Sequence, residues 1–224
     1  MDNYLVLPTK KKMVYFSETI NQFKNTNRFK YNCALVDELG IKYLTKVFPS
    51  AIIYTINGEI AVKISSIYLR PFLTFLKRHT VTNFNQLRDI SAVDYPERKL
   101  RFEVVYQLLS ITYNQRFTVS VSIPEGVALD SVATIYPSSG WYERETWDRF
   151  GIYFRNHSDL RRRLTDYGFK GHPLRKDFPV TGFVEVRYND FSKRILYEKV
   201  SLSQAYRIFT LDNVWKNLYK VSFV

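Results

Sequence analysis

Three carboxylates crowd one short stretch of the chain, Glu143, Glu145 and Asp148 within WYERETWDRFG. A pair of carboxylates in one cleft can divide the roles of proton donor and proton acceptor, the first chemistry such a cluster suggests. Helical spacing argues against it. Glu145 and Asp148 share a helix face, Glu143 lies well round from Glu145, and Arg144 and Arg149 stand near as ion-pair partners, so the trio is expected to be structural. Two of the three histidines, His157 and His172, lie among Asp159, Asp166 and Asp177, but the spacing fits no closed zinc pattern and the single cysteine, Cys33, is remote in sequence. One cysteine can neither close an internal disulfide nor hold an iron–sulfur cluster. Within CALVDELGIKYLTKVF it reads as a small buried hydrophobe. No Ser or Cys sits in an activated context, and no glycine-rich loop is present to cradle phosphate. The expectation is a chain with no catalytic, cofactor-binding or metal-binding residue of its own.

The charge pattern around these residues points elsewhere. Across 141–177, 15 of 37 residues are charged, against 24% for the whole chain, and aromatic residues are threaded between them. Signs alternate, leaving an excess of only three positive charges, whereas a phosphate-binding surface is more one-sided. Arginines and aromatic rings in mixed charge suit a surface that meets another folded protein.

The elements that must position this stretch follow from periodicity. Residues 31–48 carry apolar side chains at helical spacing, closed by Pro49. AIIYTINGEIAVKI reads as a hairpin turning at Asn57-Gly58. A second helix begins near Pro71 and presents Phe72, Phe75, Leu76 and His79, with His79 at its end. Residues 87–94, 100–112 and 116–123 read as three more strands, the last two joined at Asn114-Gln115. Beyond Gly126, short helices are expected near 131–136, 141–150 and 158–166, the last capped by Ser158 and ended by Gly168. GHPLRKDFP, 171–179, reads as an ordered loop, FVEVRY and KRILYEKV as a hairpin, and SLSQAYRIF as a last short helix. The predicted fold class is therefore α+β, a two-layer domain with a mainly antiparallel sheet covered by helices, followed by an extended C-terminal docking segment. Three parts are expected: an extension at 1–30, the α+β domain at 31–125, and a segment at 126–224 that has little core of its own and stays ordered by lying on other surfaces.

Composition is compatible with that reading. Apolar content of 46% and aromatic content of 17% support a packed core, and no low-complexity run or flexible linker interrupts the chain. The net charge of +12 fits either a binder of RNA or anionic lipid or one member of an assembly with acidic neighbours. The basic triplets at 10–12 and 161–163 are expected to be solvated faces or protein contacts. No apolar run is long enough to span a bilayer, and the N-terminal residues do not read as a cleaved transit or signal peptide.

Several long blocks stand in one order: DISAVDYPERKLRFEVVYQLLS, WYERETWDRFG, then NH, DLRRRLTDYGFKGHPLRKDFP and VEVRY. Together they resemble the 30-kDa-type subunit of respiratory complex I, over roughly residues 30–210. Ser158 stands where members of that family often have Pro, the tail LDNVWK lacks the usual Ser-Pro before Trp215, and 1–30 match nothing in the family. The resemblance implies a non-catalytic core subunit of mitochondrial NADH:ubiquinone oxidoreductase, in the matrix-facing peripheral arm at the inner membrane. Its role there would be to scaffold the quinone module. The implied partners are the 49-kDa-type quinone-site subunit and iron–sulfur subunits, with membrane contact only indirect and no nucleic acid. FMN, iron–sulfur clusters and ubiquinone belong to other subunits, and this chain is expected to bind none. Charge pattern and resemblance together nominate the subunit-interface residues: Tyr142, Glu143, Arg144, Glu145, Asp148, Arg161, Arg162, Asp166, Tyr167, His172, Pro173, Arg175, Lys176 and Asp177. Among the last group, His172, Arg175, Lys176 and Asp177 are expected to fix the loop and dock it against a neighbour. Two other classes remain open at this point: an RNA-binding or ribosome-associated factor, marked by steeply salt-sensitive affinity, and a freestanding hydrolase or transferase that depends on Glu143 or Glu145.

Overall fold

A computed structural model of the chain describes residues 38–56 and 59–204, together with 207 and 209. The N-terminal extension, Cys33 and the Asn57-Gly58 turn lie outside the described residues. The central element is a five-stranded sheet: β1 (Ile52–Ile56), β2 (Glu59–Ile64), β3 (Gln86–Asp94), β4 (Phe102–Ser110) and β5 (Gln115–Ile123), in the order β1-β2-β5-β4-β3. The β1–β2, β5–β4 and β4–β3 pairs are antiparallel, and β2 runs parallel to β5. Five strands and a mainly antiparallel sheet match the sequence expectation. The parallel β2–β5 pair was not foreseen, and it requires the chain to leave β2, build a helix and the β3–β4 hairpin, and return to the middle of the sheet.

Period-two alternation explains the packing. Phe102, Val104, Tyr106 and Leu108 on β4 and Phe117, Val119, Val121 and Ile123 on β5 all point into one core. The other face of the sheet carries polar pairs, including Lys63 to Glu103 at 3.3 Å and the Thr118 hydroxyl donating to Gln107 Oε1 at 2.9 Å. Helix α1 (Glu38–Val47) and helix α2 (Leu69–Arg78) flank the β1–β2 hairpin in sequence. Leu69, Phe72, Leu73 and Leu76 recur at helical spacing and bury one side of α2 against the sheet core. Pro71 falls in its first turn, where a missing N–H costs little. Phe48, just past α1, meets the Phe72 ring edge-on at 4.9 Å. His79 caps α2, its N–H donating to Phe75 O and its ring stacked on Phe75 at 4.8 Å.

Residues beyond Gly126 divide differently from expectation. Leu129, Val132, Tyr136, Phe150, Ile152 and Phe154 are buried in the same core as the sheet. Short strands β6 (Leu129–Asp130) and β7 (Phe154–Arg155) pair in parallel around helix α3 (Ser139–Phe150). The Tyr136 hydroxyl donates to Phe84 O at 2.7 Å, and Lys77 Nζ donates to Ile135 O. Among the described residues two compact units divide after Phe178, and 129–154 share the core of the first with the sheet. The second unit holds the hairpin of β8 (Val184–Asn189) and β9 (Arg194–Lys199), paired antiparallel where the sequence placed it.

Three expected helices are corrected. Residues 131–136 form a turn in which Ile135 and Tyr136 both donate to Val132 O. Residues 158–166 form an irregular loop, so Ser158 caps nothing there. Of SLSQAYRIF, residues 201–204 carry no helix, and Ala205, Tyr206 and Ile208 lie outside the described residues.

Candidate functional site

Helix α3 carries two fully buried carboxylates that anchor opposite sides of it. Glu143 receives the Ser131 hydroxyl at 2.6 Å, the Val132 N–H at 2.8 Å and the Ser139 hydroxyl at 3.0 Å, so it clamps the 131–132 turn to the helix. Burial pushes its carboxyl up from the ordinary value, and those three donors oppose the rise. His157 Nε2 lies 3.8 Å away and acts in the same direction as those donors. Its Nδ1 accepts the Asp159 N–H at 3.0 Å and its Nε2 lies 3.2 Å from the Gly140 carbonyl.

Asp148 explains why 158–166 is not a helix. Its Oδ2 accepts the backbone N–H groups of Arg163, Leu164 and Thr165 at 3.2, 2.8 and 2.9 Å. Its Oδ1 accepts Arg162 Nη1–H at 3.0 Å and the Thr165 hydroxyl at 2.7 Å. Donors that helix formation would need are committed to a side chain of α3, which holds the segment as a loop. Burial alone would raise the Asp148 carboxyl, but the hydrogen bonds from Thr165, Leu164 and Arg162 outweigh it and hold it down at about 2.

The GHPLRKD loop closes the C-terminal end of α3. A helix end leaves its last carbonyls without intrahelical partners, and here the loop supplies them. His172 Nδ1–H donates to Asp148 O at 3.0 Å, Leu174 N–H to Arg149 O at 3.1 Å, and Arg175 Nε–H to Phe150 O at 2.6 Å. Burial lowers the His172 imidazole from its ordinary value, with Arg175 and Arg162 acting in the same direction and the Asp148 carbonyl opposing. Its ring also meets Trp147 edge-on at 5.5 Å. Gly151 makes the approach possible: its φ of 74° is left-handed, and a Cβ there would lie 2.6 Å from the His172 ring and 2.7 Å from Arg175 Nη2.

The other side of the loop is tied to the end of the β3–β4 hairpin. Arg101 forks onto Asp94 at 2.8 and 3.0 Å and also reaches Glu125 at 2.9 Å and Asp177 at 3.0 Å. Lys176 N–H donates to Asp94 Oδ2 at 2.9 Å, and Arg175 pairs with Glu125 at 2.7 Å. The Arg101 hydrogen bond is the main cause of the lowered Asp94 carboxyl, and Asp94 in turn raises Arg101. The loop is thus a clamp between the α3 C-terminus and the sheet, and His172, Arg175, Lys176 and Asp177 all make its contacts within the chain. Asp94, Arg101, Glu125 and Gly151 were not singled out by sequence, because Asp94 and Lys176 stand 82 residues apart.

The nominated interface residues separate by burial. Glu143 and Asp148 have no exposed surface and face their own chain, so they leave any contact surface. Tyr142 is half-buried against the core, and Arg144, Glu145, Arg162, His172, Pro173 and Arg175 are also half-buried. Arg161, Asp166, Tyr167, Lys176 and Asp177 are exposed, Tyr167 almost completely. Among the described residues no group of His, Cys, Asp or Glu is gathered as a metal ion would require, and no helix is long and apolar enough to cross a membrane.

Residues 62–184, which run from the middle of β2 and contain β3 to β5, α3 and the clamp, match the family described as "Respiratory-chain NADH dehydrogenase, 30 Kd subunit". The NADH-ubiquinone oxidoreductase subunit 9 of Reclinomonas americana is 47% identical over 184 residues, covering 81% of this chain and 89% of its own. The NADH dehydrogenase (ubiquinone) iron-sulfur protein 3 of Oryza sativa subsp. japonica is 56% identical over 149 residues, 66% of this chain and 78% of its own. A chain in the solved structure of the membrane-bound sulfane sulfur reductase, an archaeal respiratory membrane complex, superposes with a TM-score of 0.55 at 28% identity, covering 62% of this chain and 83% of that one.

Proposed function

The chain belongs to the 30-kDa subunit family of respiratory-chain NADH dehydrogenase, and on that footing we propose that it works as a scaffold of the complex, contributing shape and no redox group. It is a core subunit of NADH:ubiquinone oxidoreductase, with other subunits of that complex as its partners. In this reading it lies in the mitochondrion, on the matrix side of the inner membrane, in the peripheral arm. It holds the 49-kDa-type quinone-site subunit and the iron–sulfur subunits in register, while FMN, the clusters and ubiquinone are bound by those neighbours.

The observation that carries the reading is the second compact unit. In the β8–β9 hairpin, register places Val184, Val186, Tyr188, Ile195 and Tyr197 on one face, and each is more than half exposed. A two-stranded hairpin is marginal alone in water, and an apolar face of this size marks a docking surface. The unit therefore serves as the docking segment against a partner. Chemistry within the chain supports the same division of labour: Glu143 and Asp148 are buried and fully engaged in holding backbone, away from any substrate.

The test is to tag the chain, purify it gently from mitochondrial membranes in detergent, identify its companions by mass spectrometry and assay NADH-to-quinone turnover. A very large rotenone-sensitive particle with flavin and iron–sulfur subunits is the expected result. Recovery alone, or with ribosomal RNA and no NADH oxidation, overturns it.

A further inference from the structure

Trp141 is 55% exposed, yet it is held firmly. Two guanidinium groups lie against its ring, Arg144 at 4.1 Å and Arg163 at 5.0 Å from the ring centroid. Arg144 comes from the next turn of α3, and its Nε–H also donates to Gly140 O at 3.3 Å. Arg163 arrives from the distant loop because Asp148 grips its backbone N–H and those of the two residues after it. Trp141, Glu145 and Arg149 follow at intervals of four and form one stripe along the helix.

The charges around this ring do not balance. Glu145 is shared between Arg149 at 2.7 Å and Arg163 at 3.0 Å. Asp159 is shared between Arg161 at 2.9 Å and Arg144 at 3.8 Å. Four arginines thus surround two carboxylates, leaving two positive charges in excess beside an exposed indole. A guanidinium offers several donors in a fixed fork, and each carboxylate here already serves two of them.

We propose that this patch seats an acidic segment of a neighbouring subunit, with a carboxylate received by Arg163, whose side chain is 34% exposed, and an apolar side chain laid on the exposed part of Trp141. The inference rests on the scaffold reading and names the chemistry of one of its contacts. Arginine and tryptophan are the residues that most often carry binding energy at protein interfaces, and both are pre-positioned here, so little ordering cost remains when the partner arrives. A phosphate polymer is a poorer occupant, because Glu145 and Asp159 would face it with like charge.

Two measurements on the full chain in its native assembly decide it. With p-benzoylphenylalanine in place of Trp141, irradiation of the purified particle should cross-link the chain to another subunit, at a peptide in which Asp and Glu outnumber Lys and Arg. Particles that contain the labelled chain but give no such product, or a product with a basic peptide, a second copy or RNA, overturn the inference and leave the scaffold reading intact. Failure of the wild-type tagged chain to enter any particle sinks the scaffold reading itself. In the second measurement, Arg163→Glu should lower retention of the subunit during a moderate-salt wash by about tenfold, with Arg163→Lys intermediate. Retention equal to wild type overturns the inference, also when the label at 141 blocks incorporation.

Discussion

Replacing Asp148 by Asn removes one charge from a site that has no exposed surface, and the structure sets the size of the effect. The folded carboxyl sits at about 2 against an ordinary 3.8. At ~1.4 kcal/mol for each tenfold change in proton affinity, that gap corresponds to about 2.5 kcal/mol of stability at neutral pH. Arg162 also loses its partner, but its side chain is 29% exposed and regains water, adding less than about 1 kcal/mol. The sign follows from the depressed folded value: the stabilisation is present above pH 3.8 and is lost as pH falls towards 2. In urea unfolding of the full chain at pH 7, Asp148→Asn should lose about 2.5 to 3.5 kcal/mol, a midpoint shift of roughly 1 M or more. At pH 3 the deficit should shrink to roughly half, since the unfolded chain then takes up a proton at Asp148 while folded wild type still holds it ionised. Trypsin should cut the variant sooner at Arg161, Arg162 and Arg163, whose loop Asp148 holds. A variant within about 0.5 kcal/mol of wild type at pH 7, or a deficit unchanged between pH 7 and pH 3, refutes the reasoning.

Glu143→Gln should behave oppositely although it lies on the same helix. A raised carboxyl contributes stability below its ordinary value and loses it as pH rises through the folded one, so at pH 7 the amide should leave unfolding unchanged or favour the fold by up to about 1 kcal/mol; a loss as large as that of Asp148→Asn contradicts this. Gly151→Ala places a Cβ against His172 and Arg175 at positive φ and should cost about 2 to 3 kcal/mol in thermal unfolding, with faster hydrogen exchange at the Leu174 amide as its local mark. Asp94→Ala removes the forked partner of Arg101, which keeps Glu125 and Asp177, and frees the Lys176 N–H; it should cost about 2 to 3 kcal/mol, whereas the Asp94→Ala, Arg101→Met double variant should recover part of that loss in the same unfolding assay; strict additivity would show that the pair is not coupled.

Local periodicity made most of the elements legible. The alternation in 102–110 and 115–123, the apolar spacing of Leu69, Phe72, Leu73 and Leu76, and the β8–β9 hairpin each follow from a few neighbouring side chains. What periodicity does not contain is which distant elements meet. The parallel β2–β5 pair joins residues more than fifty apart, and neither strand's pattern names its neighbour. The loop at 158–166 was read as a helix because its propensities are helical, while the competing donor sink, Asp148, lies on another element. The clamp was half legible. His172, Arg175 and Asp177 stood out by density of charge, but Asp94, Arg101 and Glu125 look like ordinary strand-end charges until the fold brings them together. Glu143 and Asp148 were read as structural ion-pairing residues with Arg144 and Arg149 near; both are buried anchors for backbone instead, and the ion pair Asp148 does make is with Arg162.

The central claim is that this chain supplies geometry and no chemistry. It is tested most directly by placing Asp94→Ala in the native complex and measuring two quantities on the same membranes, the amount of assembled NADH:ubiquinone oxidoreductase and its NADH-to-quinone turnover per assembled particle. Loosening the clamp should reduce the number of assembled particles, while each particle that does form keeps its turnover within about twofold of wild type. Fully assembled particles at wild-type abundance whose turnover has collapsed would contradict the account, because they would place a group essential to the reaction in this chain.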